Sequence, residues 1–297
     1  MKILEKVDIL NKVQLKKKSV EVIIGKVKYN KNSFDGKILG RTLYDWVAFA
    51  CNGRNVRVID ITSKDNILQF VKSYINNNFD YTLFLLSSTP LITKQDIDSV
   101  IEYAFFKDIN LCKLPTGYIF KNKYLSECKD KFVDSVYSQN IDNFYIVESK
   151  KQFSFALNIL QERINNFHIE NGVEIIKPSS VYIEPEVDIE SGSIIYPNNS
   201  LKGTTIIGND VILKENNVIE NTIINSGCCI SGSNITNSKM GNHTYISSFC
   251  EIDNSIIGDE CIVENYCVIK NTKIKNKSKI NSRECLGENN DSNSGAR

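Results

Sequence analysis

One pattern in the second half of the chain restricts its fold more than any other feature. Aliphatic residues recur at Ile183, Ile189, Ile195, Leu201, Ile207, Leu213, Ile219, Ile224, Ile230, Ile235, Met240, Ile246, Ile252, Ile257, Val263, Ile269, Ile274 and Ile280, always five or six residues apart. Two residues before each stands a small or compact side chain, as at Val181, Ser193, Thr205, Val211, Cys228, Thr244, Ser255 and Cys267. A sandwich of ordinary strands would repeat every two residues. A large inward aliphatic with a small partner every six residues is the signature of a hexapeptide β-helix. Each rung supplies one short strand and one turn, three rungs close a triangular coil, and coils stack at ~4.8 Å. Eighteen rungs predict about six coils, a prism roughly 29 Å long at that spacing.

The ladder also gives the cysteines a place. Nine cysteines in 297 residues, none spaced as C-x-x-C and with only two histidines as co-ligands, argue against a zinc site or a secreted disulfide framework. Cys228, Cys250, Cys261 and Cys267 fall in the small-residue column, where a compact apolar thiol fits. Cys250 and Cys267 lie three rungs apart and are expected on adjacent coils.

Before the ladder the pattern is mixed α/β. Strands are expected at residues 20–24, 56–61, 81–86 and 145–147, alternating with helices. Thr93 and Asp96 form a capping box ahead of Ile97, Val100, Ile101 and Ala104 on one helical face. Ser149 and Gln152 open a helix over residues 149–166, with Phe153, Leu157, Leu160 and Ile164 at helical spacing. Alternating strands and helices predict a mainly parallel sheet in three layers. With 36 basic and 35 acidic residues the net charge of +1 gives no field for nucleic-acid or membrane-surface binding. No apolar run approaches a membrane span, and the start MKILEKVDIL lacks a signal-peptide core, so a cytoplasmic location is expected.

At the junction of the two halves the residues become specific. The stretch from Val147-Glu148-Ser149 through ALNILQERINNFHIENGVEIIKPSSVYIEPEVDI resembles the bifunctional bacterial N-acetylglucosamine-1-phosphate uridyltransferase/glucosamine-1-phosphate acetyltransferase family at its linker helix and first coil. The match to R-I-N-x-x-H-x-x-N-G-V, at residues 163–173, is the most distinctive part. Residues 36–51 are similar to the segment that carries G-K-P-M-L and a helix, and Pro90-Leu91-Ile92-Thr93 follows a hydrophobic strand as in the family.

The resemblance implies an α/β nucleotidyltransferase-like (Rossmann-like) domain over residues 1–168, ending in a linker helix (149–167). A left-handed β-helix over 175–281 and a polar tail over 282–297 follow. It implies a UDP-N-acetylglucosamine pyrophosphorylase-like protein that takes a sugar nucleotide or sugar phosphate, uses Mg²⁺ where uridylyl transfer is retained, and trimerises through its β-helix.

Such an enzyme needs a glycine-rich loop whose amides meet the nucleotide phosphates. Here the first strand runs into Gly25-Lys26-Val27-Lys28-Tyr29, with one glycine remaining. Lys26 and Lys28 are either phosphate contacts or solvated strand-end lysines. The family's Mg²⁺-holding Asp of G-D-x-P-L matches Ser88 in Ser87-Ser88-Thr89-Pro90-Leu91, and its linker Asn matches Glu148. Glu148 is either a lone metal ligand or a helix-dipole partner. Thr116-Gly117, after Pro115, stands where the family has an N-T-G sugar contact.

Gly25, Lys26, Ser87, Ser88, Thr89, Thr116 and Gly117 are therefore the candidate nucleotide and sugar contacts and Glu148 the candidate metal ligand; no catalytic residue is assigned. With that loop and carboxylate replaced, uridylyl transfer is expected to be weak or lost. The acetyltransferase histidine has no counterpart: Asn242 takes its position with His243 one residue away, and a coil count puts the rung at Asn281-Ser282-Arg283, so that site is expected to be missing. The alternative is a non-catalytic assembly or regulatory protein that binds a sugar nucleotide or a partner enzyme.

Overall fold

A computed structural model describes residues 19–27, 36–61, 67–127, 133–139 and 141–287. The chain divides into two compact units, residues 1–157 and 158–297, and the division falls inside a long helix. Lys16, Lys17, Lys18, Lys28, Tyr29 and the tail from residue 288 lie outside the described residues.

In the first unit, β1 (Val20–Val27) is followed by a small hairpin of β2 (Lys37–Ile38) and β3 (Arg41–Thr42), then α1 (Leu43–Ala50) and β4 (Asn55–Ile61). Next come α2 (Ile67–Lys72), β5 (Tyr81–Leu86), α3 (Lys94–Phe106), β6 (Leu111–Leu114), β7 (Gly117–Lys121), α4 (Asn122–Glu127) and β8 (Ser135–Val136). The six-stranded sheet has the order β4-β1-β5-β7-β6-β8. β1 is parallel to both β4 and β5, whereas β7 is antiparallel to β5 and β6.

The mainly parallel sheet of the sequence reading is thus a mixed one. The difference arises at Pro115-Thr116, a tight turn that reverses the chain between β6 and β7. No strand forms at residues 145–147 either; there Val147 is held by one backbone bond to Ser88. Three layers do form. Val20, Val22, Ile24, Leu83 and Leu85 pack on one side of the sheet with Val47 of α1 and Ile97, Val100 and Ala104 of α3. Ile23, Ile59, Ile61 and Phe84 pack on the other with Val71 of α2 and Leu125 of α4. The Thr93–Asp96 capping box starts α3, and Thr42–Asp45 makes an equivalent box for α1.

α5 (Lys150–Glu170) is longer than expected. Ser149 Oγ accepts from Gln152 N–H at 3.3 Å, and Glu148 N–H donates to Gln152 Oε1 at 3.0 Å, closing the first turn. In the second unit, the end of this helix explains the most distinctive motif of the sequence. Asn165 is buried and its amide donates to the carbonyls of Pro178 and Val181. His168 is buried, and Gly172 leaves the helix at φ +90°, a left-handed exit that glycine takes without strain.

The rest of this unit is a parallel β-helix of twenty short strands, from Glu174–Ile175 to Cys285–Leu286, arranged on three sides of seven, six and seven strands. All eighteen ladder residues point inward and are buried. There are about seven turns, one more than the six expected, because Ile175 and Leu286 add rungs beyond both ends of the ladder. Each fully buried Ile or Leu contributes ~1.5–3 kcal/mol of transfer free energy, which makes this ladder the principal source of the unit's stability.

The small-residue column forms a second, polar ladder. Asn199 Oδ1 accepts from the Asn217 backbone N–H, Asn217 Oδ1 from Ser233 N–H, and Ser233 Oγ from Cys250 N–H. On another side Thr205, Thr222, Ser238 and Ser255 relay bonds in the same manner. The cysteines take part: Cys250 Sγ–H donates to Glu264 O at 3.0 Å, Cys261 Sγ–H to Lys275 O at 3.1 Å and Cys267 Sγ–H to Asn281 O at 3.1 Å. The thiols therefore replace hydroxyls, a more specific role than filling an apolar slot.

Candidate functional site

In the first unit the chain passes from β1 to its neighbour β4 on one side and then returns to β5 on the other. Open α/β sheets bind ligands at such a reversal, outside the carboxyl ends of the strands. The end of β1 there carries Gly25 and Lys26, and the end of β5 leads into Ser87, Ser88 and Thr89. Gly117 pairs with Leu85 in the antiparallel β5–β7 register, so the turn bearing Thr116 adjoins the same edge. Glu148 follows Val147, whose N–H donates to Ser88 O at 2.8 Å. Residues separated by more than a hundred positions thus meet at one edge of the sheet.

Their individual environments differ from those of a phosphate-binding loop. Gly25 lies within β1, paired with Ile59 and Leu86, and its carbonyl accepts from Ser87 N–H at 3.0 Å. A Cβ at Gly25 would lie 2.4 Å from Ile61 Cδ1 and 2.9 Å from the Phe84 ring, so strand packing accounts for this glycine. Gly117 is explained likewise, since a Cβ there would fall 2.1 Å from Phe84 O. Lys26 Nζ sits 3.9 Å above the Tyr44 ring, a cation–π contact that keeps the ammonium at this edge. Tyr44 belongs to α1, and its part in the site has no signature in the sequence beyond its place on that helix.

The hydroxyls divide into committed and uncommitted groups. Thr89 is fully buried and its Oγ1 donates to Leu86 O at 2.7 Å, which closes the turn after β5. Ser87 and Ser88 are half-buried. Thr116 is 5% exposed, and its Oγ1 has no hydrogen-bond partner among the described residues. A buried hydroxyl without a partner carries a desolvation cost of ~1–3 kcal/mol.

Glu148 is exposed. Together with the neutral hydroxyls of Ser87 and Ser88 it offers a single carboxylate, a poor donor set for a Mg²⁺ that must also manage phosphate charge. These residues do not fit such a metal centre. Among the described residues no three His, Cys, Asp or Glu side chains are grouped to hold a metal ion.

In the β-helix, Asn242 and His243 occupy an exposed corner. Asn242 N–H donates to Asp259 Oδ1 at 2.7 Å, and His243 has φ +52° with its N–H bonded to Ser226 O. Asn281 and Ser282 form another corner, bonded to Glu284 and Glu264. Among the described helices none is long and apolar enough to cross a membrane.

The second unit defines a hexapeptide-repeat β-helix protein. Its more particular likeness is to one group: residues 211–296 match the family described as GlmU-like, C-terminal hexapeptide. The bifunctional protein GlmU of Clostridium beijerinckii is 48% identical over 67 residues, covering 23% of this chain and 15% of that protein. That of Clostridium novyi is 43% identical over 76 residues, covering 26% and 17%. The chain thus matches only a small part of the length of these relatives. Among solved structures, a mutant GDP-perosamine N-acetyltransferase from Caulobacter crescentus, in complex with CoA and GDP-perosamine, aligns over 86% of this chain and 91% of its own at 10% identity, with a TM-score of 0.34.

Proposed function

We propose that the α/β unit is a diverged, Rossmann-like relative of the sugar-1-phosphate nucleotidyltransferases, of the UDP-N-acetylglucosamine pyrophosphorylase type. It binds a sugar nucleotide or sugar phosphate at the carboxyl edge of β1 and β5, with uridylyl transfer weak or lost. The observation that carries this reading is the convergence of Lys26, Ser87, Ser88 and the Thr116 hydroxyl, unpartnered among the described residues, on the sheet's reversal point. Lys26 supplies the positive charge for a phosphate, and Thr116 supplies a donor that a ligand oxygen would satisfy.

The loss of transfer follows from two features of the same edge. Residues 25–27 are paired strand, so their amides do not form a cradle for a triphosphate. The position that would carry a metal-binding carboxylate is Ser88. Each ~1.4 kcal/mol of lost transition-state stabilisation costs tenfold in rate, and losing both devices removes several such factors.

Calorimetric titration with UDP-N-acetylglucosamine, UTP and N-acetylglucosamine-1-phosphate, alongside a pyrophosphate-release assay, tests both halves. Binding of at least one ligand with release at background is expected. Vigorous Mg²⁺-dependent turnover would overturn the loss of transfer, and no binding by any of the three would overturn the site.

A second reading, an assembly role as a homotrimer, is favoured by one surface. On one side of the β-helix the outward residues Ile194, Ile212, Cys229, Tyr245 and Ile262 lie in register on successive coils. This apolar row on a flat parallel sheet matches the chemistry of a contact between copies. Sedimentation equilibrium showing a monomer would dispose of it.

A further inference from the structure

Two large aromatic side chains stand exposed at one corner of the β-helix. Phe249 is 66% exposed and Tyr266 54%. Their rings stack with centroids 5.1 Å apart and planes 10° from parallel. Both residues have left-handed backbones, φ +63° and +64°. That conformation is costly for a bulky residue; Asn fills it at many other corners, while Glu260, Lys277 and Arg283 adopt it with long side chains that reach solvent. A neighbouring corner uses Asn221, Asn237, Asn254 and Asn271, and the same corner uses Asn198 and Asn216 on earlier coils. Neither core packing nor backbone preference accounts for two solvent-facing aromatic rings here. Strain held at an exposed position is a pointer to function.

The position below Phe249 is Gly232, whose carbonyl accepts from Phe249 N–H at 2.8 Å. A Cβ at Gly232 would meet nothing closer than 3.6 Å, so packing does not demand a glycine, although its φ of +46° is one that glycine, like Asn, adopts readily. Its effect is to remove one rung from the column of corner side chains and leave the underside of the Phe249 ring uncovered. The next side chain in the column is Asn216, two coils below Phe249, or roughly 9.6 Å at the usual spacing of paired strands. Asn216 Oδ1 accepts from Asn198 Nδ2 at 3.2 Å. The hydroxyls of Ser231 and Ser248, 3.0 Å apart, flank the gap.

We propose that this notch binds the pyranose ring of a carbohydrate, which stacks its apolar face on Phe249 above Gly232 while its hydroxyls meet Asn216, Ser231 and Ser248. An aromatic face against C–H groups, rimmed by an amide and hydroxyls, is the chemistry that recognises sugars. The gap suits a puckered ring better than a nucleobase, because a planar base stacks closely on both faces and only one wall is aromatic. The notch lies wholly within the β-helix unit and does not depend on the α/β site.

Saturation-transfer NMR with N,N′-diacetylchitobiose and maltose on the full-length chain tests this, with uridine as the nucleobase arm. Millimolar binding of at least one saccharide is expected. Phe249→Asn and Gly232→Asn, the second of which refills the missing rung, are each expected to weaken it by about tenfold or more. Phe249→Asn should also raise the melting temperature, since Asn relieves the left-handed strain, so loss of binding would not reflect unfolding. UTP, which carries no pyranose, titrated into the same variant reports the α/β site separately and should be unaffected. Absence of transfer from both saccharides, uridine transfer that falls in Phe249→Asn as the saccharide signal does, or saccharide binding unchanged in both variants would overturn the proposal. A fall in oligomeric mass of Phe249→Asn would also overturn it and reassign the rings to contact between copies.

Discussion

The carbonyl of Ser88 accepts a hydrogen bond from Val147 N–H at 2.8 Å, which ties the turn after β5 to the segment entering α5. Ser88 and Glu148 are thereby neighbours, although sixty residues separate them in sequence. Under the proposed kinship to the uridyltransferases, Ser88 would stand in the place of their metal-binding carboxylate and Glu148 in that of an amide. Ser88→Asp should therefore place two carboxylates together. Its melting temperature is expected to fall in EDTA and to recover by a few degrees in millimolar Mg²⁺, with little response in the unmodified chain. Differential scanning fluorimetry with and without the metal measures this.

Thr116 gives a prediction of opposite sign for stability and for binding. Thr116→Val keeps the shape and removes a buried hydroxyl that has no partner among the described residues. Unliganded stability should rise by about 1 kcal/mol in urea denaturation. Affinity for the sugar ligand should fall by about tenfold, because the donor that the ligand would satisfy is gone.

Gly117→Ala tests whether that glycine serves packing. With Phe84 O 2.1 Å from the added methyl carbon, β5 and β7 must separate. A loss of about 1–3 kcal/mol is expected, and a larger value if the antiparallel register itself fails. Gly25→Ala, which meets movable side chains, should cost less.

His168 predicts an acid sensitivity. Burial lowers its pKa below the ordinary value of ~6.5, and the nearby Asp188 only partly opposes this. As pH falls, the unfolded chain binds the proton before the folded one does. The contribution is thus complete above about pH 7 and is lost progressively as pH falls through 6.5 toward the folded pKa. His168→Gln should flatten this part of a stability–pH curve recorded by chemical denaturation.

The thiol relay in the β-helix predicts that Cys250→Ser is close to neutral, because a hydroxyl can donate to Glu264 O in the same way. Cys250→Val should cost about 1–3 kcal/mol by leaving that carbonyl without its donor. Cys228, pushed up to about 11 by burial, should resist thiol reagents at pH 8 in the native state, whereas the exposed Cys285 should react.

The β-helix was legible in the sequence because a period of five or six admits few other folds, and the inward aliphatics obey it without exception. Its two end rungs were harder to read. Ile175 lies against the helix exit at Gly172, and Leu286 closes the ladder with an exposed cysteine before it. The antiparallel β6–β7 pair was invisible because Leu111–Leu114 is too short for an alternating pattern, and Pro115-Thr116 resembles many loops. The positions that the family motifs picked out lie along one edge of the sheet, but the reasons for the residues were not legible. Gly25 and Gly117 look like ligand contacts in a line of text, and only their distances to Phe84 show what their missing side chains accommodate.

The coils differ in length while keeping register. Partners on neighbouring coils are 18 residues apart at Asn199 and Asn217, 16 at Asn217 and Ser233, and 17 at Ser233 and Cys250. All of that variation is taken up at corners. A residue gained or lost at a corner therefore leaves what the chain buries unchanged, whereas the same change within a rung turns an isoleucine outward. Insertions and deletions in this half of the protein are governed by geometry: a descendant can drift in length at three places per turn and nowhere else.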